Sequence, residues 1–256
     1  MDLMTPTAFP LRIAAVVVAA ASLSLIAAPN GVYWITPFVF LPVFWALRSD
    51  TPRQNKWLAF IYGTVAIGTI FRWLLATITI FSNLPYIAAL VVLGLYAIAF
   101  GLPHLFFWPM VHPIRNRTGI AWVILVPCLQ VLVEYVSMYV LLFPFNFGAT
   151  VYKFLPAWQL LSITGVWGLT WLIFFLNTSL AELIYRRREG RALDIRPLVC
   201  SVGTLILVIN FGIWRFNHVE QQLRSSPEVR IAQLQSAKTM QERLAGFARD
   251  TFDEWT

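Results

Sequence analysis

Apolar residues in this chain come in long unbroken runs, not in alternation and not in one-sided helical stripes. Seven runs stand out, at residues 11–28, 32–47, 57–81, 86–110, 120–142, 158–184 and 198–214. A run of roughly 18 residues or more is long enough for a helix to cross a bilayer. Continuous runs argue against a membrane β-barrel, whose strands alternate apolar and polar positions. The expected fold is an all-α polytopic membrane bundle of about seven transmembrane helices. The first run has Arg12 at its start and ends in SLIAAPN, a pattern a cleaved signal peptide could share. The turn Pro29-Asn30-Gly31 leads straight into the second run, so a retained helical hairpin is the expectation.

The pattern changes after residue 215. FNHVEQQLRSSPE, residues 216–228, reads as a polar linker. VRIAQLQS, residues 229–236, is strand-like. In the segment that follows, Thr239 and Glu242 fit a capping box, where hydroxyl and carboxylate satisfy free N–H groups of a helix start. Leu244, Phe247, Ala248, Thr251, Phe252 and Trp255 then recur at helical spacing. One strand and one helix cannot bury a core by themselves. The expected organisation is a membrane domain at 1–215, a linker at 216–228, and the truncated start of an external α/β domain at 229–256.

The stretch FPFNFGATVYKFLPAWQLLSITGVWGLTWLIFFLN, residues 143–177, joins two kinds of signal. It opens as an aromatic, proline-bearing loop suited to the headgroup level. It is expected to continue as a helix from Trp158-Gln159, with Gly165 and Gly168 allowing close helix approach and a lone Asn177 near the far end. The loop reads either as an interfacial belt or as the floor of a lipid-binding cleft.

Composition agrees with a membrane protein: 59% of the 256 residues are hydrophobic, only 12% are charged, and mean hydropathy is +0.70. The net charge of +7 would suggest nucleic acid if its placement were ignored. Eleven Lys and Arg residues fall on one side of the expected helices: Arg12, Arg48, Arg53, Lys56, Arg115, Arg117, Arg186, Arg187, Arg188, Arg191 and Arg196. The opposite short loops carry Lys153 alone. The positive-inside rule then puts the N-terminus in the cytoplasm and everything after Trp214 outside, in the periplasm of a Gram-negative cell. No nucleic-acid partner is expected. Cys128 and Cys200 sit in apolar context without zinc or disulfide spacing, and each is expected to be a buried, inert thiol. No metal site and no cofactor are expected.

Glu134 lies midway along the fifth run. A carboxylate in hydrocarbon is costly, so it should face the bundle or a wet cavity. Arg72, next to Trp73 in the third run, is its natural partner. Two readings stand: a structural Arg72–Glu134 pair that fixes helix packing, or a site touching a lipid headgroup. His104 and His112 stand toward the cytoplasmic end of the fourth run and His218 in the linker, each read as a lone histidine without catalytic partners. No Ser-His-Asp set and no Walker loop is present.

The order of these motifs resembles the bacterial apolipoprotein N-acyltransferases. AAPNGVYWITPFVFLPVFWAL is similar to that family's first hairpin, and YGTVAIGTIFRWLLATITIFSNLP to its third span. QVLVEYV followed by FPFNFG resembles its glutamate-bearing helix and Phe-Pro loop. WQLLSITGVWGLTWLIFFLN resembles its Gln…Thr-Gly-Val-aromatic-Gly…Asn helix, and VRIAQLQS the first strand of its nitrilase-type (carbon-nitrogen hydrolase) domain. Ser137, Phe145 and Leu244 depart from residues common in the family. The resemblance implies transfer of an acyl chain from a phospholipid donor, through a cysteine thioester, to the α-amine of a lipoprotein acceptor's diacylglyceryl-cysteine. The Glu-Lys-Cys triad that does this would lie past residue 256, so no catalytic residue is assigned here. By the same resemblance Trp73, Glu134, Phe143, Pro144, Gly148, Gln159 and Asn177, with Gly165 and Gly168, would shape a cleft for the phospholipid. An inactive fragment of such an enzyme in the bacterial inner membrane is the first expectation. A non-catalytic membrane scaffold or lipid-binding protein is the alternative.

Overall fold

A computed structural model describes residues 9–48, 50–82, 84–140, 145–225 and 227. Phe143 and Pro144, and the strand and amphipathic helix expected over 229–256, lie outside the described residues. The described chain is helical throughout, with helices α1 (Phe9–Ile26), α2 (Leu41–Ala46), α3 (Pro52–Ile70), α4 (Leu74–Ser82), α5 (Tyr86–Thr118), α6 (Trp122–Val140), α7 (Leu155–Trp158), α8 (Leu161–Thr164), α9 (Val166–Arg188) and α10 (Arg196–Arg224).

By length and composition, Phe9–Ile26, Tyr86–Val140, Val166–Arg188 and Arg196–Arg224 can each cross a membrane, and Pro52–Ile70 with Leu74–Ser82 forms a pair bent by 61°. Tyr86–Val140 is not one rod. At 1.5 Å per residue it would reach roughly 80 Å, far beyond a hydrocarbon core of roughly 30 Å. Its side-chain partners on α9 show the fold-back. Along α5, Phe107 meets Phe174 and His112 meets Tyr185, so α5 runs with α9. Along α6, Trp122 reaches Glu182 and Glu134 reaches Thr170, so α6 runs against α9. The reversal falls at Gly119, where φ is +56°.

Besides the expected span 57–81, bent at the α3–α4 break, three others change shape. Residues 32–47 do not form one helix: a 3-10 turn at Tyr33–Ile35 precedes the six-residue α2. Backbone left unpaired by such a break must find partners inside the protein. Asn177 supplies them, with Oδ1 accepting from Phe40 N–H at 3.1 Å and Nδ2 donating to Thr36 O at 3.0 Å. The long helix expected from Trp158 begins only at Val166, because α7 and α8 are single turns and Gly165, at φ +64°, turns the chain into α9. Gly168 lets α9 approach the preceding single turn α8, not a distant span: a Cβ there would fall on the side chain of Thr164. Finally, α10 continues as helix to Arg224, so the first part of the expected linker is helical.

The core is aromatic. Phe40 stacks on Phe174 at 4.4 Å and meets Phe147 edge-on at 5.0 Å, while Phe44, Tyr62, Phe107 and Trp108 close around them. Edge-to-face pairs of this kind add stability beyond area burial. Arg12 is buried against the start of α3, donating to Ala46 O at 2.7 Å and Asn55 Oδ1 at 3.0 Å. Cys128 and Cys200 are exposed on helix faces, contrary to the expectation of buried thiols. On an apolar helix, such a face is where lipid lies, which explains why apolar sequence context misled.

Candidate functional site

Glu134 is 3% exposed and faces the seam between α6 and α9. Its Oε1 accepts from Phe147 N–H at 3.0 Å, and its Oε2 accepts from Thr170 Oγ1–H at 2.8 Å. Gln130 Nε2 makes a longer contact to Oε1 at 3.4 Å. Thr170 Oγ1 in turn accepts from Gly148 N–H at 2.8 Å. The carboxylate, an acceptor-only group, is thus surrounded by donors. The arrangement ties the 3-10 segment Phe147–Val151 to two helices at once.

Gly148 allows this approach. A Cβ at that position would fall on the carbonyl of Val166, so only glycine brings the segment onto the first turn of α9. Phe147 is buried among Phe40, Phe174 and His104, and Phe145 meets it edge-on at 5.2 Å. Phe147 is therefore inside the bundle, and Phe145 is half-buried against it. Beside them is a cavity of about 30 Å³ lined by Ile67, Phe100, His104, Gln130, Glu134 and Phe145, among others. It has room for a water molecule and not for an acyl chain. His104 Nδ1 and Gln130 Oε1 are buried there without a partner among the described residues.

The other expected site residues scatter. Arg72 is exposed in the break between α3 and α4, and among the described residues no ion pair joins it to Glu134. The donors around Glu134 are neutral, which removes the need for a cation. Trp73 stands beside Arg72, 49% exposed. Gln159 is half-buried at the end of α7. Asn177 is fully buried against the residue 36–40 backbone. Glu134 and Gly148 are thus brought together, while Trp73, Gln159 and Asn177 are each held elsewhere.

Sequence reasoning missed Thr170 and a charged cluster at the opposite end of α9. Arg115 Nε donates to Glu182 Oε2 at 2.9 Å, and Trp122 Nε1 donates to the same oxygen at 2.7 Å. Arg186 Nε donates to Glu182 Oε1 at 2.7 Å. Arg115 also forks onto Glu189, and that contact holds the Glu189 carboxyl below its usual range. In the loop after α9, the Arg196 guanidinium holds Asp194 down at about 2. Glu182 four residues before Arg186 was the available signal; nothing in the sequence marks Thr170.

Residues 19–179 match the apolipoprotein N-acyltransferase N-terminal domain. Similar proteins include the apolipoprotein N-acyltransferase of Geobacter metallireducens, 30% identical over 72% of this chain and 35% of the relative. That of Chromobacterium violaceum is 28% identical over 83% of this chain and 41% of the relative. That of Shewanella oneidensis is 26% identical over 73% and 37%. The chain therefore spans well under half the length of these curated relatives.

Proposed function

The chain belongs to the apolipoprotein N-acyltransferase family through that family's N-terminal domain, and on that premise we propose that it is the lipid-handling membrane part of an acyltransferase of lipoproteins. In this reading a phospholipid donates an acyl chain, and the acceptor is the α-amine of a lipoprotein's N-terminal diacylglyceryl-cysteine. The chemistry would come from a nitrilase-type domain bearing glutamate, lysine and cysteine, and no catalytic residue is assigned to this chain. Neither Cys128 nor Cys200 is proposed as the nucleophile: both are exposed on apolar helices, whereas a reactive thiol needs an electropositive setting.

The observation that carries the proposal is the bracket of Glu134, Thr170 and Gly148. It spends a buried carboxylate on holding an aromatic loop against two helices. An intramembrane carboxylate is costly, and a site that keeps one uses it. The loop so held, with Gly148, forms the wall past which the donor lipid reaches the catalytic domain. Asn177 acts at a distance, as the brace of the broken residue 32–47 segment.

Seven crossings of the bacterial inner membrane fit this role: α1, the 32–47 segment, the bent α3–α4 pair, α5, α6, α9 and α10. The opposed directions of α5 and α6 and the one-sided arginines support it, with the N-terminus cytoplasmic and the end of α10 periplasmic. The test is a chimera in which residues 1–225 replace the matching region of the Geobacter metallireducens relative. Acyl transfer to a diacylglyceryl-cysteine peptide is expected. A chimera that inserts and folds but holds no phospholipid-derived acyl group would overturn the proposal in favour of a non-catalytic scaffold.

A further inference from the structure

The charged end of α9 encloses a second, larger cavity of about 270 Å³, between α5, Gly119–Ala121 and the end of α9. Its lining is polar, with Arg115, Arg186 and Arg191 set against Glu182 and Glu189. The glutamate oxygens are already taken. Glu182 accepts from Arg115, Arg186 and Trp122, and both Glu189 oxygens accept from Arg115. Arg115 and Arg186 are engaged in turn at all three of their nitrogens, Arg186 through Glu182, Ala192 O and Asp194, so the spare donors of this lining belong to Arg191. Arg191 makes one contact of 3.4 Å to Glu189 while its side chain stays 69% exposed. A guanidinium carries five donors and no acceptor, so this fork keeps most of its N–H groups for another partner. Arginines near the ends of α5 and α9 are expected from the helix dipoles. That explains Arg115 and Arg186. It does not explain Arg191, which lies beyond the end of α9.

Surplus donors in a fixed fork match the oxygens of a phosphate. A second feature says where that phosphate comes from. Ile120 is in the cavity lining, and Ile124 and Cys128 follow it along α6, all three exposed. Ile124 and Cys128, four residues apart, share one face of α6, and Ile120 stands in the 3-10 turn just before it, so an apolar track leaves the cavity along the outside of the bundle.

We propose that this cavity binds the phosphate headgroup of an anionic phospholipid from the cytoplasmic leaflet, with an acyl tail along Ile120, Ile124 and Cys128. The inference rests on the reading above that this face is cytoplasmic. Basic pockets between membrane helices on that side are built for such headgroups. The site is at the opposite end of α9 from the Glu134 bracket, so the lipid bound there is not the acyl donor.

The experiment is native mass spectrometry of the chain released from bilayers of equal phosphatidylglycerol and phosphatidylethanolamine. One retained phosphatidylglycerol is expected, reduced about fivefold by Arg191→Gln and unchanged by Arg117→Gln, which lies outside the lining. Arg191 takes no part in the bonds of Glu182, so the fold is kept. Equal retention of both lipids, or no effect of Arg191→Gln, overturns the proposal. Displacement of the lipid by millimolar inorganic phosphate, with the tail making no difference, also overturns it in favour of a free-anion site. Labelling of Arg117→Cys by an impermeant maleimide, in a Cys128→Ser, Cys200→Ser background, reports the side independently. Labelling from outside removes the cytoplasmic reading; labelling from inside with no lipid preference removes this inference alone.

Discussion

Thr170 Oγ1 sits between Glu134 and Gly148, donating to a Glu134 oxygen at 2.8 Å and accepting from the Gly148 amide at 2.8 Å. One hydroxyl therefore relays between a helix carboxylate and a loop backbone. It joins α6, α9 and the Phe147–Val151 segment at a single point. That relationship makes the bracket testable from several sides.

Thr170→Val keeps the shape of the side chain and removes both bonds. The Gly148 N–H and one Glu134 oxygen are left buried without partners, at a cost of about 1–3 kcal/mol each. Thermal unfolding in detergent should show a clear loss for Thr170→Val and near-native behaviour for Thr170→Ser. Equal stability of the two variants would mean the hydroxyl is idle.

Gly148→Ala forces a methyl onto the Val166 carbonyl. Overpacking of this kind costs about 1–3 kcal/mol, and more where backbone must move. Hydrogen exchange should rise across residues 145–151 and at the start of α9, while α1 and α3 keep their protection. Uniform protection in both proteins would contradict the close approach.

Asn177→Leu preserves volume but strips the partners of Phe40 N–H and Thr36 O. Loss of roughly 2–5 kcal/mol is expected from two newly unpaired backbone groups. Limited proteolysis should then cut within residues 32–40 of the variant faster than in the parent protein. Unchanged cleavage would remove Asn177 from its role as a brace.

Asp194 offers a pH test outside the membrane. Its carboxyl is depressed from the usual 3.8 to about 2 by Arg196, with Arg186 assisting. A depressed carboxylate stabilises the fold above its unfolded value, and that contribution fades as pH falls through the folded one. Parent protein should therefore be more stable than Asp194→Asn at pH 5, with the gap closing between about pH 4 and pH 2. Glu189, held low by Arg115, gives a gap of the same sign that also closes on acidification. A gap that widened on acidification would contradict the ion pairs.

Much of the helical character was legible because membrane spans announce themselves by length and apolarity, as in Phe9–Ile26 and Arg196–Arg224. Glu134 was legible for the same reason, a charge where charge is costly. Its partner was not. Sequence logic offered Arg72 by charge, and the fold chose a backbone amide and a hydroxyl, neither of which carries a sequence signal. The break at residues 32–47 was hidden because apolar composition says nothing about backbone continuity, and its repair depends on Asn177, 137 residues from Phe40. The thiols of Cys128 and Cys200 were misplaced because an apolar setting in a membrane protein describes lipid-facing and core positions alike.

The bracket itself is tested most directly by a double-mutant cycle in the chimera with the Geobacter metallireducens relative, following acyl-thioester formation from phospholipid. Glu134→Gln puts an amide donor against either Phe147 N–H or Thr170 O–H, and Thr170→Val breaks the same relay from the other side. Each variant should slow thioester formation about tenfold or more by misplacing the loop. The pair together should be little worse than either alone, because residues in one network are not additive. Additive losses, or full-rate thioester formation in a folded Glu134→Gln chimera, would contradict a Glu134–Thr170 bracket that positions the lipid-side wall.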